Sequence, residues 1–347
     1  MRGLFFYEEC FAMAGQEITP LVDNFGRRIN YVRLSITDRC DFRCVYCMDE
    51  NMTFMPRKQL LSLEEMVLMM TAFVELGVEK IRITGGEPLV RQGVDWLCQQ
   101  LGALKQQGLK ELTLTTNGSQ LTKYAPILAK AGVDRLNISL DTLIPERFTT
   151  LTRIGQLTTV LEGIDAARQA GFKNIKLNAV IMKGRNEDEV VQLARFAIDH
   201  QLDISYIEEM PLGTVTHQRG ETYCSSDEVK TILEQHYQLT SSTKNTGGPS
   251  QYFNIGGYTS RIGFISPHSH NFCEQCNRVR VTTEGRLLLC LGQEHSVDLR
   301  NIMRSNPGDK TILKQAIVDS MTIKPQGHDF DIQAQPVIFR HMSVTGG

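Results

Sequence analysis

Short β-branched runs recur along the chain at intervals too long for hairpins. "YVRLSIT" (31–37), "KIRIT" (80–84) and "ELTLTTN" (111–117) are followed by "RLNISL" (135–140), "IKLNAVIM" (175–182) and "ISYIEEM" (204–210). Between them apolar residues fall at helical spacing, as in Leu63, Met66, Val67, Met70 and Phe73. "VLEGIDAARQAG" stops at Gly171, a helix terminator just ahead of the next run. Strands separated by helices of this length pair in parallel through right-handed crossovers. The pattern predicts an α/β fold of six βα units, two short of the eight that close a full barrel. The expected architecture is an incomplete (βα)6 TIM-type barrel, although periodicity alone does not separate it from a flat doubly wound sheet.

After Met210 the rhythm breaks. A polar, glycine-rich loop, "SSTKNTGGPSQ", precedes short strand-like pieces such as "RIGFIS" and "RLLLCL". The expected division is an N-terminal extension over 1–17, the partial barrel over 18–211, and a C-terminal extension over 212–347 that packs against it and ends in Gly346-Gly347. A net charge of −2 carries no global field for nucleic acid or an anionic membrane, so any anion site must be local. No run of eighteen apolar residues suggests a membrane span. Glu8 and Glu9 interrupt the apolar patch Leu4–Tyr7, against a cleaved signal. Nine cysteines, an odd number with most of them clustered, point to metal binding in a reducing cytoplasm rather than to disulfides.

Three of these cysteines, Cys40, Cys44 and Cys47, follow the first strand in "CDFRCVYC". The C-terminal ends of parallel strands are where active-site loops gather. Three thiolates from one loop can hold an iron–sulfur cluster with one iron left open, or a zinc ion that takes a distant fourth ligand. A second triad, Cys273, Cys276 and Cys290, again offers three ligands, with His270 and His295 close enough in sequence to be considered as a fourth. Arg278 and Arg280 alternate directly after it, so their side chains share one strand face. Paired guanidiniums beside an open metal site suit a polyphosphate, the alternative being a solvated strand face. Arg33, Arg82 and Lys176 each interrupt an apolar strand, which is costly without a partner. Either an anion in the lumen or ion pairs to Glu87, Asp141 or Glu208 would answer that cost. Cys10, Cys98 and Cys224 have no partner spacing and read as ordinary thiols, and Trp96 reads as packing.

The first triad, with Tyr46 before its last cysteine, and "TGGEP" (84–88) after the second strand resemble the signatures of the radical SAM superfamily. "TTNG" and "NISLD" fit further polar positions, though Asn117-Gly118 is equally a plain turn. With "FCEQCNRVRVTTEGRLLLCL", the Gly-Gly tail, "FGRRINYVRLSITDRC", "GPSQYF", "IGFISP" and "KPQGHDF", the resemblance extends from about residue 18 to 347 and narrows to the GTP 3′,8-cyclase family of molybdenum cofactor biosynthesis.

That resemblance implies two 4Fe-4S clusters and S-adenosyl-L-methionine. Cys40, Cys44 and Cys47 would hold the first cluster, with Tyr46, Gly86, Ser139 and Met210 contacting S-adenosylmethionine. Cys273, Cys276 and Cys290 would hold the second and present its open iron to guanine, with Arg33, Arg82, Thr115, Lys176, Arg278 and Arg280 binding GTP. A 5′-deoxyadenosyl radical would take hydrogen from ribose C3′, giving 3′,8-cyclo-7,8-dihydro-GTP. The family further implies a cyclic pyranopterin monophosphate synthase downstream, a flavodoxin- or ferredoxin-type donor and a homodimer. One departure stands out: Ser205 occupies a position where the family usually carries an arginine for the nucleotide. It leaves room for Arg219 to compensate, or for a diverged enzyme acting on another nucleotide or a peptide.

Overall fold

The computed structural model describes residues 20–332, 338 and 340–346. All six expected strands form: β1 (Tyr31–Ser35), β2 (Lys80–Thr84), β3 (Glu111–Thr116), β4 (Arg135–Ser139), β5 (Ile175–Ile181) and β6 (Asp203–Glu208). Six more follow: β7 (Leu239–Ser241), β8 (Gln251–Ile255), β9 (Arg261–Ile265), β10 (Arg278–Val281), β11 (Arg286–Leu288) and β12 (Ser296–Asp298). They make one sheet in the order β12-β11-β10-β1-β2-β3-β4-β5-β6-β9-β8-β7. β10 pairs in parallel with β1, and β9 with β6, so eight consecutive strands run parallel. The C-terminal region thus extends both edges of the parallel sheet, a closer union than packing against it.

Parallel strands covered on both faces are usually apolar throughout. Here they alternate. On one face Val32, Leu34, Ile81, Ile83, Leu112, Leu114, Leu136, Ile138 and Leu177 are fully buried in the main core, with helix residues such as Met66, Phe73, Leu97, Leu121, Val160 and Leu193. Each such side chain withdraws roughly 1.5–3 kcal/mol worth of apolar surface from water. On the other face register-paired rows are polar: Arg280–Arg33–Arg82–Thr113–Arg135, then Thr115–Asn137–Lys176–Asp203, then Ser139–Asn178–Ser205–Gly263. The sheet therefore buries a charged face as well as a greasy one.

Helices are begun by ordinary caps. Ser62 and Glu65 form a reciprocal capping box at helix Leu63–Glu75, and Ser225 and Glu228 repeat it at helix Ser226–Glu234. Cys98 and Cys224 are buried free thiols, and Cys10 lies outside the described residues. Trp96 packs less fully than expected, at 37% exposed. Among the described residues no helix is long and apolar enough to cross a membrane.

Candidate active site

The loop after β1 carries Cys40, Cys44 and Cys47, and all three line a cavity of about 180 Å³. Tyr46, Gly86, Ser139 and Met210 line the same cavity, so the four cofactor positions suggested by the sequence meet the triad there. Thr115, grouped on sequence with the substrate residues, opens onto this cavity as well.

The glycines of "TGGEP" have a local cause. A Cβ on Gly85 would lie 2.6 Å from the Thr37 carbonyl oxygen, and one on Gly86 would overlap the Arg39 carbonyl. Gly86 N–H donates to Thr37 O at 2.7 Å and Glu87 N–H to Arg39 O at 2.8 Å. The turn is thus a platform on which the cysteine loop rests.

Glu87 is fully buried and accepts from Asn117 N–H (2.6 Å), Thr116 Oγ1 (2.8 Å) and Leu89 N–H (2.9 Å); burial pushes its carboxyl up to about 8. Asn117 Nδ2 and Ser119 Oγ donate to Asp41 at 2.7 and 2.6 Å, so "TTNG" steadies the cysteine loop from β3. Tyr46 donates its hydroxyl to Asp141 at 2.7 Å, and burial raises that carboxyl to about 6. Burial also pushes all three thiols up, Cys47 to about 12, and Glu87 and Asp141 push Cys40 and Cys44 the same way. A bound metal cation would reverse that balance, because the thiolate is the ligand. Among the described residues no three Cys, His, Asp or Glu side chains converge as for a single metal ion. The half-buried thiol triads suit a polynuclear cluster, whose irons sit on separate cysteines.

A second cavity, about 130 Å³, is lined by Cys273, Cys276 and Cys290 together with Arg33, Arg82, Lys176, Arg278 and Arg280. Asn178, Ile207, Met210 and Met342 border both cavities, which therefore adjoin. The ion pairs that would satisfy the strand cations are not made. Glu87 and Asp141 are engaged as above, and Glu208 takes the N–H groups of Ser226 and His268, both at 2.9 Å. Arg33 Nε and Arg82 Nε are buried without a hydrogen-bond partner among the described residues. Burial pushes the Arg33 guanidinium down to about 10, and burial with neighbouring Arg82, Arg135 and Arg33 drives Lys176 well below the usual ammonium range. Arg82 lies over the Tyr31 ring at 5.6 Å and Lys176 over the Tyr252 ring at 5.8 Å, while Arg33 interacts with the Tyr31 hydroxyl. Such uncompensated charge is held at a cost that a bound anion removes.

Several contributors carried no sequence signal beyond lying in segments of family likeness. Lys324, buried in "KPQGHDF", donates to the Leu289 carbonyl at 2.6 Å and stands 3.7 Å from Cys276 Sγ. Burial would raise the Cys276 thiol, yet Arg278 and Lys324 outweigh it and hold the thiol below its ordinary range. Arg27, in "FGRR", pairs with Asp23 at 2.7 Å and donates to the carbonyls of Cys273 (2.7 Å), Pro325 and Gln326 (both 2.6 Å), clamping the second cysteine loop. His328 lines the cavity, whereas His270 pairs with Asp227 at 2.9 Å on the surface and His295 is exposed. The tail also reaches the lumen. Arg280 Nη1 donates to the carbonyls of Gly346 and Thr345, and a Cβ on Gly346 (φ 77°) would strike the Thr84 side chain. Gly347 lies outside the described residues.

Ser205 is buried on the lumen face with its hydroxyl 2.8 Å from Ser250 Oγ, and Gly263 beside it leaves the room both need. Arg219 does not replace the missing arginine. Glu209 holds it at 3.1 Å and the Leu212 carbonyl at 2.6 Å, away from the second cavity.

Comparison with known proteins agrees with this geometry. Residues 34–197 match the radical SAM superfamily and residues 202–330 match Molybdenum Cofactor Synthesis C. The GTP 3′,8-cyclase of Pseudomonas entomophila is 59% identical over 94% of this chain and 98% of its own. That of Saccharophagus degradans is 56% identical over 95% and 99%, and GTP 3′,8-cyclase 2 of Pseudomonas aeruginosa 58% over 94% and 98%. Among solved structures, Streptococcus suis SuiB shares the fold at TM-score 0.57 and 17% identity, over 87% of this chain and 68% of that one. On these residues and this likeness, the chain belongs to the GTP 3′,8-cyclase family of the radical SAM superfamily.

Proposed function

We propose that this chain is a radical SAM cyclase that converts GTP to (8S)-3′,8-cyclo-7,8-dihydroguanosine 5′-triphosphate, the first step of molybdenum cofactor biosynthesis. The observation that carries the proposal is the pair of adjoining cavities, each with a cysteine triad, of which only the second gathers buried cations without an ion pair among the described residues. Cys40, Cys44 and Cys47 would hold one 4Fe-4S cluster, and Cys273, Cys276 and Cys290 another. With S-adenosylmethionine bound, the first cluster supplies a 5′-deoxyadenosyl radical able to take hydrogen from ribose C3′.

The protein's own task is placement. Tyr46, Gly86, Ser139 and Met210 border the space for S-adenosylmethionine. Arg33, Arg82, Lys176, Arg278 and Arg280 would hold the triphosphate through charge-assisted hydrogen bonds. Thr115 Oγ1, buried without a hydrogen-bond partner among the described residues, would accept a contact on the ribose side. Holding base and triphosphate at separate ends fixes C3′ at reacting distance. The shared wall of Asn178, Ile207, Met210 and Met342 keeps the reacting atoms between the two cavities and out of bulk water. In this reading the parallel strands form an incomplete barrel. Residues 18–211 provide the radical-generating half and residues 212–347 the substrate half. A cytoplasmic homodimer, a flavodoxin- or ferredoxin-type donor, and transfer of product to a cyclic pyranopterin monophosphate synthase complete it.

Anaerobic turnover with reconstituted clusters tests the proposal. Cyclised nucleotide formed in step with 5′-deoxyadenosine is the expected result; S-adenosylmethionine cleavage with no cyclised nucleotide would refute the GTP assignment.

A further inference from the structure

A third cavity, about 220 Å³, opens at the opposite end of the lumen from the first triad, where β4, β5 and β6 begin. Arg135, Lys173, Lys176, Lys244 and Arg261 line it, against one lining carboxylate, Asp203. Asp203 is committed: it accepts the Arg261 backbone N–H at 2.9 Å and lies 3.8 Å from that guanidinium. Glu111, just outside, is divided between Arg135 at 3.2 Å and Lys80 at 2.6 Å. Two carboxylates therefore face six cations. Lys173 and Lys244 are exposed, and no ion pair holds either among the described residues. Arg135 Nε and Arg261 Nε are buried with no partner among the described residues.

Lys176 is the decisive residue. It is 5% exposed, has no ion pair among the described residues, and lines both this pocket and the second cysteine cavity. Loop 242–250 likewise spans both, with Lys244 on the outer pocket and Thr246, Gly248, Pro249 and Ser250 on the inner cavity. The cations of the lumen thus continue from Arg280, Arg33 and Arg82 through Lys176 to an outlet ringed by Arg135, Arg261, Lys173 and Lys244.

We propose that this outlet is a second anion site, built for a phosphate-class oxyanion at the N-terminal ends of the strands. Several convergent guanidinium and ammonium donors around a small space match the many oxygens of phosphate or pyrophosphate, and exceed what a single carboxylate needs. The oxyanion is either free in solution or the terminal phosphate of a nucleotide in the lumen; only the second source rests on the GTP assignment. A mouth of one charge sign also concentrates anions at that end of the lumen.

Inorganic pyrophosphate, titrated calorimetrically in phosphate-free buffer, is the probe. The protein with both clusters is compared with Lys173→Ala/Lys244→Ala, whose substituted side chains are exposed, and with Arg261→Gln. Unchanged visible spectra establish intact clusters. Each variant is expected to raise the pyrophosphate dissociation constant about tenfold or more. Equal affinity in wild type and the double variant, or no binding to wild type, overturns the site. GTP and guanosine then separate the sources. GTP affinity falling in the double variant while guanosine affinity holds assigns the site to the nucleotide's terminal phosphate. Unchanged GTP affinity beside weakened pyrophosphate binding assigns it to a free oxyanion. Failure of GTP to bind at all would sink the GTP assignment and leave the pyrophosphate result standing.

Discussion

The two cysteine-lined cavities share a wall and each carry three thiols, yet acidic groups stand around the first and cations around the second. Around Cys40, Cys44 and Cys47 stand Asp41, Glu87 and Asp141, and burial first, then these acidic neighbours, pushes the thiols up. Around Cys276 stand Arg278 and Lys324, and its thiol is pulled down, while burial raises that of Cys290 in the same triad. The first setting favours a ligand bearing positive charge, as the amino and sulfonium groups of S-adenosylmethionine do. The second favours a polyanion. If the proposed ligands occupy them, these neighbouring spaces would sort two charged small molecules without any moving part.

The largest expected effects separate the cavities outright. Cys44→Ala should abolish both S-adenosylmethionine cleavage and cyclisation. Cys276→Ala should abolish cyclisation alone and leave slow uncoupled release of 5′-deoxyadenosine; identical product profiles in the two variants would erase the distinction.

Glu87 tests the acidic side. Its folded-state carboxyl lies near 8 against an ordinary 4.5, so folding takes up a proton between those values. Stability therefore falls as pH rises through that window, by an amount on the order of a few kcal/mol. Glu87→Gln should flatten the pH dependence of the unfolding midpoint between pH 5 and 8, and an unaltered slope would mean that another group titrates.

Next comes the cationic side. Arg82→Gln should weaken GTP binding by about 1.5–3 kcal/mol, roughly 10- to 150-fold, and leave the affinity for S-adenosylmethionine unchanged. Equal loss for both ligands would show that the charges are not sorted. Lys324→Met should raise the Cys276 thiol, slowing its alkylation several-fold at neutral pH in protein stripped of iron, as followed by mass spectrometry. The smallest effect is expected at Ser205→Ala. Losing the bond to Ser250 should lower stability by about 0.5–1.5 kcal/mol. The KM for GTP should stay put, since Ser205 itself does not line the second cavity.

Much of this was legible in the chain because it is written locally. Strands and cysteine loops are local patterns, and Arg33, Arg82 and Lys176 announced themselves as charges set in apolar runs. What was not legible depends on distant pairing. "RIGFIS" reads as a strand, but nothing in it says that β9 lies along β6. Lys324 is a lone cation and Arg27 one of an adjacent arginine pair, and only the fold brings them to Cys276 and Cys273. The glycines of "TGGEP" invited a ligand-centred explanation, while their immediate cause is the carbonyls of Thr37 and Arg39. Trp96 illustrates the converse, since helical spacing around it gave no measure of its 37% exposure.

The pairing of β1 with β10 also bears on synthesis. β2 covers one side of β1 early, but the partner for its other side is translated roughly 190 residues later. At about 5–20 residues per second the nascent chain carries that naked strand for on the order of 10–40 s. An unpaired edge of this kind is where sheets recruit wrong partners. The first cysteine loop, attached to the same strand, is thus made and accessible well before the second exists. A factor that covers the waiting edge of β1 during this interval would guard against such mispairing.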